Sequence, residues 1–225
     1  MINRYNFVEY CKDKIGNPYL YGFKQNYNFD IKCTKSDFKK LKKAYKELIW
    51  DSDINCVGKT PCDCSGLLSA YIGEQHSSTE FKKMSKIVDL NIKNLQKYGI
   101  GTLIWCQGHI GIVSKVGFKE NLSDSFYIAE DGSNFGCREE KISKSHFTKL
   151  LIFPHIEYDK PLFRIVLAKR SKVYSDIYPK RKFLKYKDKN TILEIYNIFY
   201  CSNKLYGVTK KGNYIRLKGH NKIKC

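Results

Sequence analysis

The segment from Thr60 to Leu67, TPCDCSGL, places a cysteine where a polar, turn-prone stretch gives way to an apolar one. Pro61 does not fit a helix interior, because proline lacks the backbone N–H and disfavours helix before it. Asp63 is a good N-cap, and the apolar residues after it recur at helical spacing. Cys64 is therefore predicted in the first turn of a helix, where unpaired N–H groups and the helix dipole favour a thiolate. This position is typical of a nucleophile; a cysteine that only packs in the core is the alternative.

A thiol nucleophile needs a base that takes its proton. His109 is the best candidate, because it follows Gly108 at the start of a predicted strand, and a helix N-terminus packed on a sheet would bring it to Cys64. A core histidine with satisfied hydrogen bonds is the alternative. A third polar group should orient the imidazole, and Glu130 or Asp131 on the neighbouring strand could do so.

The nine cysteines indicate neither a disulfide framework nor a metal site. Their number is odd, they are scattered, and no apolar secretion segment precedes them. One residue separates Cys62 from Cys64, too few for the usual zinc-ligand spacing, and no second pair follows. We predict no metal and no organic cofactor, and we expect Cys62 and Cys106 only to pack.

Positive charge is concentrated in the last third of the sequence. The chain has 225 residues and a formal net charge of +19. From Pro161 onward there are 17 Lys and Arg against 3 Asp and Glu, a net of +14, which leaves +5 for residues 1–160. Such a tail suggests a polyanionic partner, and nucleic acid, anionic lipid and cell-wall polymer all qualify by charge. A surface that serves only solubility is the alternative.

The order of predicted elements is helices first and strands after, which indicates an α+β domain. Amphipathic helices are expected at residues 2–15, 36–48, 64–72 and 88–98, with a polar loop at 75–86. Strands of an antiparallel meander are expected at 102–106, 109–116, 125–130, 135–142 and 149–153.

Beyond about residue 160 the pattern changes to short strand-like runs separated by polar turns. These runs cover residues 165–173, 183–184, 191–200, 205–209 and 214–217. About 60 residues of this kind predict a small all-β barrel. We therefore expect two domains, 1–158 and 162–225.

Three motifs in this order resemble the NlpC family of papain-like cell-wall peptidases. Residues 63–67, DCSGL, resemble the nucleophile motif of that family, and residues 108–113, GHIGIV, resemble its histidine strand. Residues 16–22, GNPYLYG, resemble an upstream segment in which a tyrosine lines the active site. The resemblance covers roughly residues 3–157. The long insertion before Cys64 is similar to phage-type endolysins, in which a wall-binding barrel of the bacterial Src-homology-three type often follows.

This resemblance implies a papain-like fold, with helices packed on an antiparallel sheet, and a peptidoglycan hydrolase that cuts the γ-D-glutamyl–diamino acid bond of stem peptides. Cys64 would be the nucleophile and His109 the general base. Tyr19 would bind substrate or stabilise the oxyanion, and a backbone N–H of Cys64 or Ser65 could also donate there. Asp63 would cap the helix and help bind the substrate amine. Ser65 is also a candidate for substrate binding, although a serine at this position more often supports the turn than reacts.

The third catalytic position departs from the family pattern. Related sequences carry a polar residue in the strand after the histidine hairpin, and one register here puts Ala129 at that position while a shift of one residue puts Glu130 there. We predict Glu130 as the orienting residue. If Ala129 points inward instead, the site is a dyad oriented by backbone or water, or the enzyme is impaired.

The predicted partners are peptidoglycan and anionic cell-wall polymers. Nucleic acid is not expected, because the sequence shows no nucleic-acid motif beyond charge and scattered tyrosines. No stretch is apolar enough to span a membrane. We expect synthesis in the cytosol without a signal peptide, and release to the wall through a separate pore or by lysis. The alternatives are an N-acetylmuramoyl-L-alanine amidase, a papain-like acyltransferase and a catalytically inert polyanion-binding protein.

Overall fold

The first 160 residues combine helices with one large antiparallel sheet. The computed structural model describes residues 1–118, 122–130, 136–177, 180–202 and 204–223, with the side chain of Glu130 outside this description. Its helices are α1 (Arg4–Asp13), α2 (Lys35–Ala44), α3 (Cys64–Ile72), α4 (Ser78–Met84) and α5 (Ile92–Tyr98). The sheet contains β1 (Lys86–Asp89), β2 (Leu103–Cys106), β3 (His109–Lys115), β4 (Phe126–Glu130), β5 (Cys137–Lys141) and β6 (Lys149–Ile152).

The sheet confirms the predicted antiparallel pairing of consecutive strands and adds a crossover. Its order is β1-β6-β2-β3-β4-β5, so β6 returns to pair with β2, and β1 extends that edge. The central strands β2 and β3 are buried along most of their length, and the helices α1 and α3 pack against β3. The observed architecture is therefore the predicted mixture of helices and an antiparallel sheet.

Two local predictions in this region are wrong. Residues 75–86, expected as a polar loop, contain α4, which starts with a capping box in which Ser77 accepts from the Glu80 N–H and Glu80 accepts from the Ser77 N–H. Residues 88–98, expected as one helix, divide into the end of β1 and the separate helix α5. The apolar residues of that segment satisfy a helical period locally, but pairing with β6 takes the first of them into the sheet.

The residues after 160 form two further antiparallel sheets. Their strands are β7 (Phe163–Val166), β8 (Ser171–Asp176), β9 (Lys182–Lys187), β10 (Ile192–Ile195), β11 (Asn197–Cys201), β12 (Lys204–Val208), β13 (Tyr214–Arg216) and β14 (Asn221–Ile223). The orders are β10-β7-β14 and β11-β12-β13-β8-β9. In the described residues neither sheet closes on itself, so the all-β character is confirmed but the barrel is not.

The hydrophobic core continues across the predicted domain boundary. One cluster of buried side chains contains Phe7, Leu67 and Ile112 from the first part together with Phe163 and Ile195 from the second. The division into 1–158 and 162–225 stays a prediction. Within the described residues, none of the helices combines the length and the apolar character needed to cross a bilayer.

A buried arginine ties the beginning of the chain to both parts. Arg4 is 2% exposed, and within the described ranges its guanidinium donates to backbone carbonyl oxygens. The acceptors belong to Tyr98, Ile100, Glu157, Tyr158 and Tyr196. Burial lowers the pKa of Arg4 to about 10, so the side chain remains charged at neutral pH.

We expect Arg4→Met to lower the free energy of unfolding by about 3–5 kcal/mol, because the carbonyl oxygens that Arg4 satisfies would stay buried without a donor. Urea unfolding followed by circular dichroism measures this change. Arg170→Met is the matched control, since the Arg170 side chain is largely exposed and its ion pair with Asp188 is long; we expect less than about 0.5 kcal/mol there. Equal effects of the two substitutions would contradict the assignment.

Candidate active site

The start of α3 has the structure that the sequence predicts. The Asp63 carboxylate accepts a hydrogen bond from the Gly66 N–H at 2.6 Å, which caps the helix, and Cys64 is its first residue. Gly66 is needed here, because a Cβ at that position would lie 2.7 Å from the sulfur of Cys62. Cys64 is 5% exposed. The sequence therefore fixes the thiol at the helix N-terminus, in a buried position.

The predicted tyrosine segment runs directly beside the residues that precede Cys64. The Cys62 N–H donates to the Pro18 carbonyl at 3.1 Å, and the Leu20 N–H donates to the Cys62 carbonyl at 3.2 Å. This parallel bridge places the backbone of Tyr19 opposite Cys62. The insertion between the two segments packs around a small core of its own, made of Leu20, Phe23, Cys33, Phe38, Ile49 and Cys56.

His109 begins β3, directly after the tight turn at Gly108, whose φ of +79° is a conformation that favours glycine. The hairpin pairs His109 with Cys106 of β2. The imidazole stacks on Phe147, with ring centroids 5.1 Å apart and an angle of 12° between the planes. This stacking gives the ring a fixed orientation that the sequence does not reveal.

The strand that carries His109 packs against the helix that carries Cys64. The backbone of Ile110, the residue next to His109, hydrogen-bonds to the Cys64 thiol. The structure thus brings the predicted nucleophile to the predicted histidine strand, although the two residues are far apart in the sequence.

The surroundings of Cys64 favour the thiol over the thiolate. Burial raises the pKa of Cys64 to about 12, and the neighbouring Asp63 carboxylate adds to this effect. Hydrogen bonds from the backbones of Ile110 and Ser65, together with the charge of Lys24, act in the opposite direction but are smaller. The expected stabilisation of a thiolate by the helix N-terminus is therefore outweighed by desolvation.

This protonation state predicts how Cys64 reacts with alkylating reagents. We expect the rate with iodoacetamide to rise about tenfold per pH unit from about pH 7 to about pH 9, because the thiolate fraction rises in that proportion below the pKa. Mass spectrometry of the Cys64 peptide measures the rate, with the other cysteine peptides of the same digest as references. A rate that is constant over this range would contradict the prediction and indicate a preformed thiolate–imidazolium pair.

Lys24 is a member of the site that sequence reasoning missed. Its ammonium donates to the Asp63 carboxylate at 2.7 Å and to the Ser65 hydroxyl at 2.6 Å. Ser65 in turn donates to the same carboxylate oxygen at 3.1 Å. The charge of Lys24 thus balances that of the Asp63 carboxylate, and one carboxylate oxygen accepts hydrogen bonds from three donors. These contacts show that Asp63 and Ser65 stabilise the start of α3. Their predicted contact with substrate stays a prediction.

Tyr21 lies close to the thiol. Burial raises the pKa of Tyr21, and the charges that Cys64 and Asp63 carry when ionised raise it further. Its ring also packs edge-on against Tyr45 of the insertion, at 5.1 Å between centroids. The sequence points to this pair as well, since Tyr19 and Tyr21 flank Leu20 and their hydroxyls could line a cleft.

The register of β3 and β4 decides which residue stands opposite the histidine strand. Ile112 pairs with Ile128, and continuing this register puts Ala129 opposite Gly111. A Cβ on Gly111 would lie 3.0 Å from the Ala129 Cβ, so the two positions share a face, and alternation places His109 on it too. The register favours the alternative in which Ala129 is inward. The side chain of Glu130 and all of Asp131 lie outside the described residues, so an orienting role for either stays a prediction.

No group of three or more His, Cys, Asp or Glu side chains within the described ranges is arranged to hold a metal ion. The residues assembled around Cys64 are suited to thiol chemistry: a thiol at a helix N-terminus, an imidazole on the adjacent strand, and Tyr21 close to the thiol. The arrangement can therefore support acyl transfer through a thioester.

No protein-family model matches the sequence, and no curated protein matches it significantly. Among solved structures, the chain is similar to a P60 domain of an antigen from M. avium subspecies paratuberculosis, with 15% identity and a TM-score of 0.40 over 68% of this chain and 97% of that one. It is also similar to the peptidoglycan hydrolase RipB of Mycobacterium tuberculosis, with 17% identity and a TM-score of 0.39 over 67% of this chain and 65% of that one. For the resuscitation-promoting-factor-interacting protein RipA, the identity is 16% and the TM-score 0.41, over 68% of this chain and 66% of that one. These matches are distant in sequence and loose in superposition, and they do not assign a reaction to this chain.

Proposed function

We propose that the protein is a peptidoglycan hydrolase that cleaves the γ-D-glutamyl–diamino acid bond of stem peptides by a Cys–His thiol mechanism. The observation that carries the proposal is the position of Cys64 at the N-terminus of α3, in contact with the backbone of Ile110, the residue that follows His109. The choice of substrate rests on the three sequence motifs, at residues 16–22, 63–67 and 108–113, that resemble those of cell-wall peptidases.

In the proposed reaction His109 takes the thiol proton of Cys64 as the sulfur attacks the amide carbonyl carbon. Backbone N–H groups at the start of α3, with a tyrosine hydroxyl, stabilise the negative oxygen that forms. The imidazolium then protonates the leaving amine, and a thioester remains on Cys64. Water, deprotonated by His109, attacks the thioester and releases the free carboxylate and the thiol.

The basic surface of residues 161–225 would hold the protein on its insoluble substrate through anionic wall polymers. Electrostatic attachment raises the local concentration of a hydrolase on a charged matrix. Because this substrate lies outside the cell membrane, we also propose that the protein reaches it through a separate pore or after lysis.

The test is to incubate purified peptidoglycan with wild type and with Cys64→Ala, and to identify the products by mass spectrometry. A new free amine on the diamino acid, formed by wild type only, is the expected result. Free lactyl groups of muramic acid would indicate an amidase, and incorporation of an added amine without lysis would indicate an acyltransferase. Identical products from the two proteins would refute a role of Cys64 as nucleophile.

A second candidate is a catalytically inert polyanion binder. The raised pKa of Cys64 and the net charge of +14 after residue 160 favour it. Wall binding by the full chain without any released product would support this reading instead of the hydrolase.

A further inference from the structure

A cavity of about 540 Å³ opens between the two sheets that follow residue 160. Strands β7, β8, β9 and β10 line it, together with the turn at residues 209–213 that joins β12 to β13. Hydrogen bonds within the turn, from the Gly212 N–H to the Thr209 carbonyl at 2.8 Å and from the Thr209 N–H to the Asn213 carbonyl at 2.9 Å, give it a defined shape. The cavity is therefore framed by ordered backbone from separate parts of the chain.

Four lysines line this cavity from two of these elements. Lys185 and Lys187 come from β9, where they lie opposite Val173 and Ser171 of β8, and Lys210 and Lys211 come from the turn. In the described part of the chain, none of the four forms an ion pair with a carboxylate. Four like charges around one cavity repel each other unless an anion is bound, so this arrangement favours a multiply charged anionic ligand.

The other charged groups of the cavity neutralise each other. Arg164 donates to a single carboxylate oxygen of Glu194 through Nε at 3.2 Å and through an Nη at 3.0 Å, and the Tyr196 hydroxyl donates to the other oxygen at 3.0 Å. These contacts, with a smaller contribution from the charge of Lys210, lower the pKa of Glu194, which keeps the carboxylate ionised. The cationic character of the cavity thus comes from lysine ammonium groups, which bind phosphate as point charges rather than as planar forks.

We propose that this cavity binds a flexible chain of phosphodiesters, as in a polyol-phosphate polymer of the cell wall. The lysines would contact successive phosphates while Val173, Ile192 and Leu193 lie against the spacers. Nucleic acid fits less well, because Tyr196 is the only aromatic residue among the described lining residues and Glu194 already holds its hydroxyl, whereas single-stranded nucleic acids stack on several aromatic rings. The inference rests on the proposed function for the choice of a wall polymer, but the cavity itself does not depend on Cys64.

The test measures binding of the full chain to soluble poly(glycerol phosphate) by isothermal titration calorimetry at several salt concentrations. We expect the quadruple substitution Lys185→Gln, Lys187→Gln, Lys210→Gln and Lys211→Gln to weaken binding about 100-fold. It should also reduce the slope of the logarithm of the binding constant against the logarithm of salt concentration by about 3, because each phosphate contact on a flexible strand contributes roughly 0.7 to that slope. The two pairs, one on β9 and one on the turn, should each give about a tenfold loss. Circular dichroism checks that each variant is folded.

The matched control removes the same charge elsewhere, at four exposed lysines of α2: Lys35, Lys39, Lys40 and Lys43. We expect this control to bind within about threefold of wild type; an equal loss in both variants would show that net charge alone binds the polymer and would overturn the proposal. Tighter binding of a single-stranded oligonucleotide with the same number of phosphates, or no polymer binding by wild type, would overturn it as well.

Hydrolysis of a soluble stem peptide separates this inference from the proposed function. The cavity variant should retain that activity within about threefold, since its lysines lie outside the Cys64 site. A chain that binds the polymer through the cavity but hydrolyses nothing would refute the hydrolase proposal and leave the binding site standing.

Discussion

Cys64→Ala is expected to lower the rate of peptidoglycan hydrolysis by about 10⁴-fold or more, because the proposed thioester forms on the Cys64 sulfur. The substitution removes a side chain that is 5% exposed and leaves the Asp63 cap in place, so the helix start should keep its structure. Release of soluble muropeptides over time measures the effect.

Cys62→Ala is the matched control, because Cys62 is a buried cysteine two residues away with its sulfur beside Gly66. We expect its activity to stay within about tenfold of wild type, with some loss of stability from the small cavity that the change creates. If Cys62→Ala lost as much activity as Cys64→Ala while both proteins remained folded, the assignment of the nucleophile would be wrong.

His109→Ala is expected to lower the same rate by about 10³-fold, in the range that a general base contributes. The raised pKa of Cys64 makes this dependence strong, because a thiol that is protonated at rest cannot attack without losing its proton to a base. His109→Gln retains a planar polar group that can pack on Phe147 and serves to separate loss of the base from loss of packing. We expect both variants to be equally inactive.

The matched control for the histidine is His146→Ala, because His146 is exposed and is the sequence neighbour of Phe147. Its activity should equal that of wild type. Retention of more than about a tenth of the activity by folded His109→Ala would contradict the role of His109 as base.

The helix that carries Cys64 could be predicted because its signals are local. The proline before it, the N-cap Asp63, the apolar spacing and the closing Gly73, whose φ is +85°, each act within a few residues. The same holds for the histidine strand, which follows a glycine turn and is apolar over its length. Both elements have local signals, and both begin and end in the structure within a residue of their predicted limits.

Predictions failed where a local pattern had two solutions. The segment 75–86 is polar enough for a loop, yet the pair Ser77 and Glu80 caps a short helix there. Residues 88–98 satisfy a helical period, but β1 gains its hydrogen bonds from β6, which lies about sixty residues further along the chain. Tertiary pairing, which no local window contains, decides between such alternatives.

By itself the sequence singled out Cys64 and His109 as the candidate reactive residues, and it determined where the positive charge lies along the chain. Only the tertiary structure decided their environment. Burial raises the pKa of Cys64, and Lys24 reaches Asp63 from a distant segment. The register of β4 puts Ala129 opposite Gly111, and two separate elements bring four lysines to one cavity. Desolvation, strand register and long-range ion pairs depend on contacts between residues far apart in the sequence, so they are fixed only when the chain is folded.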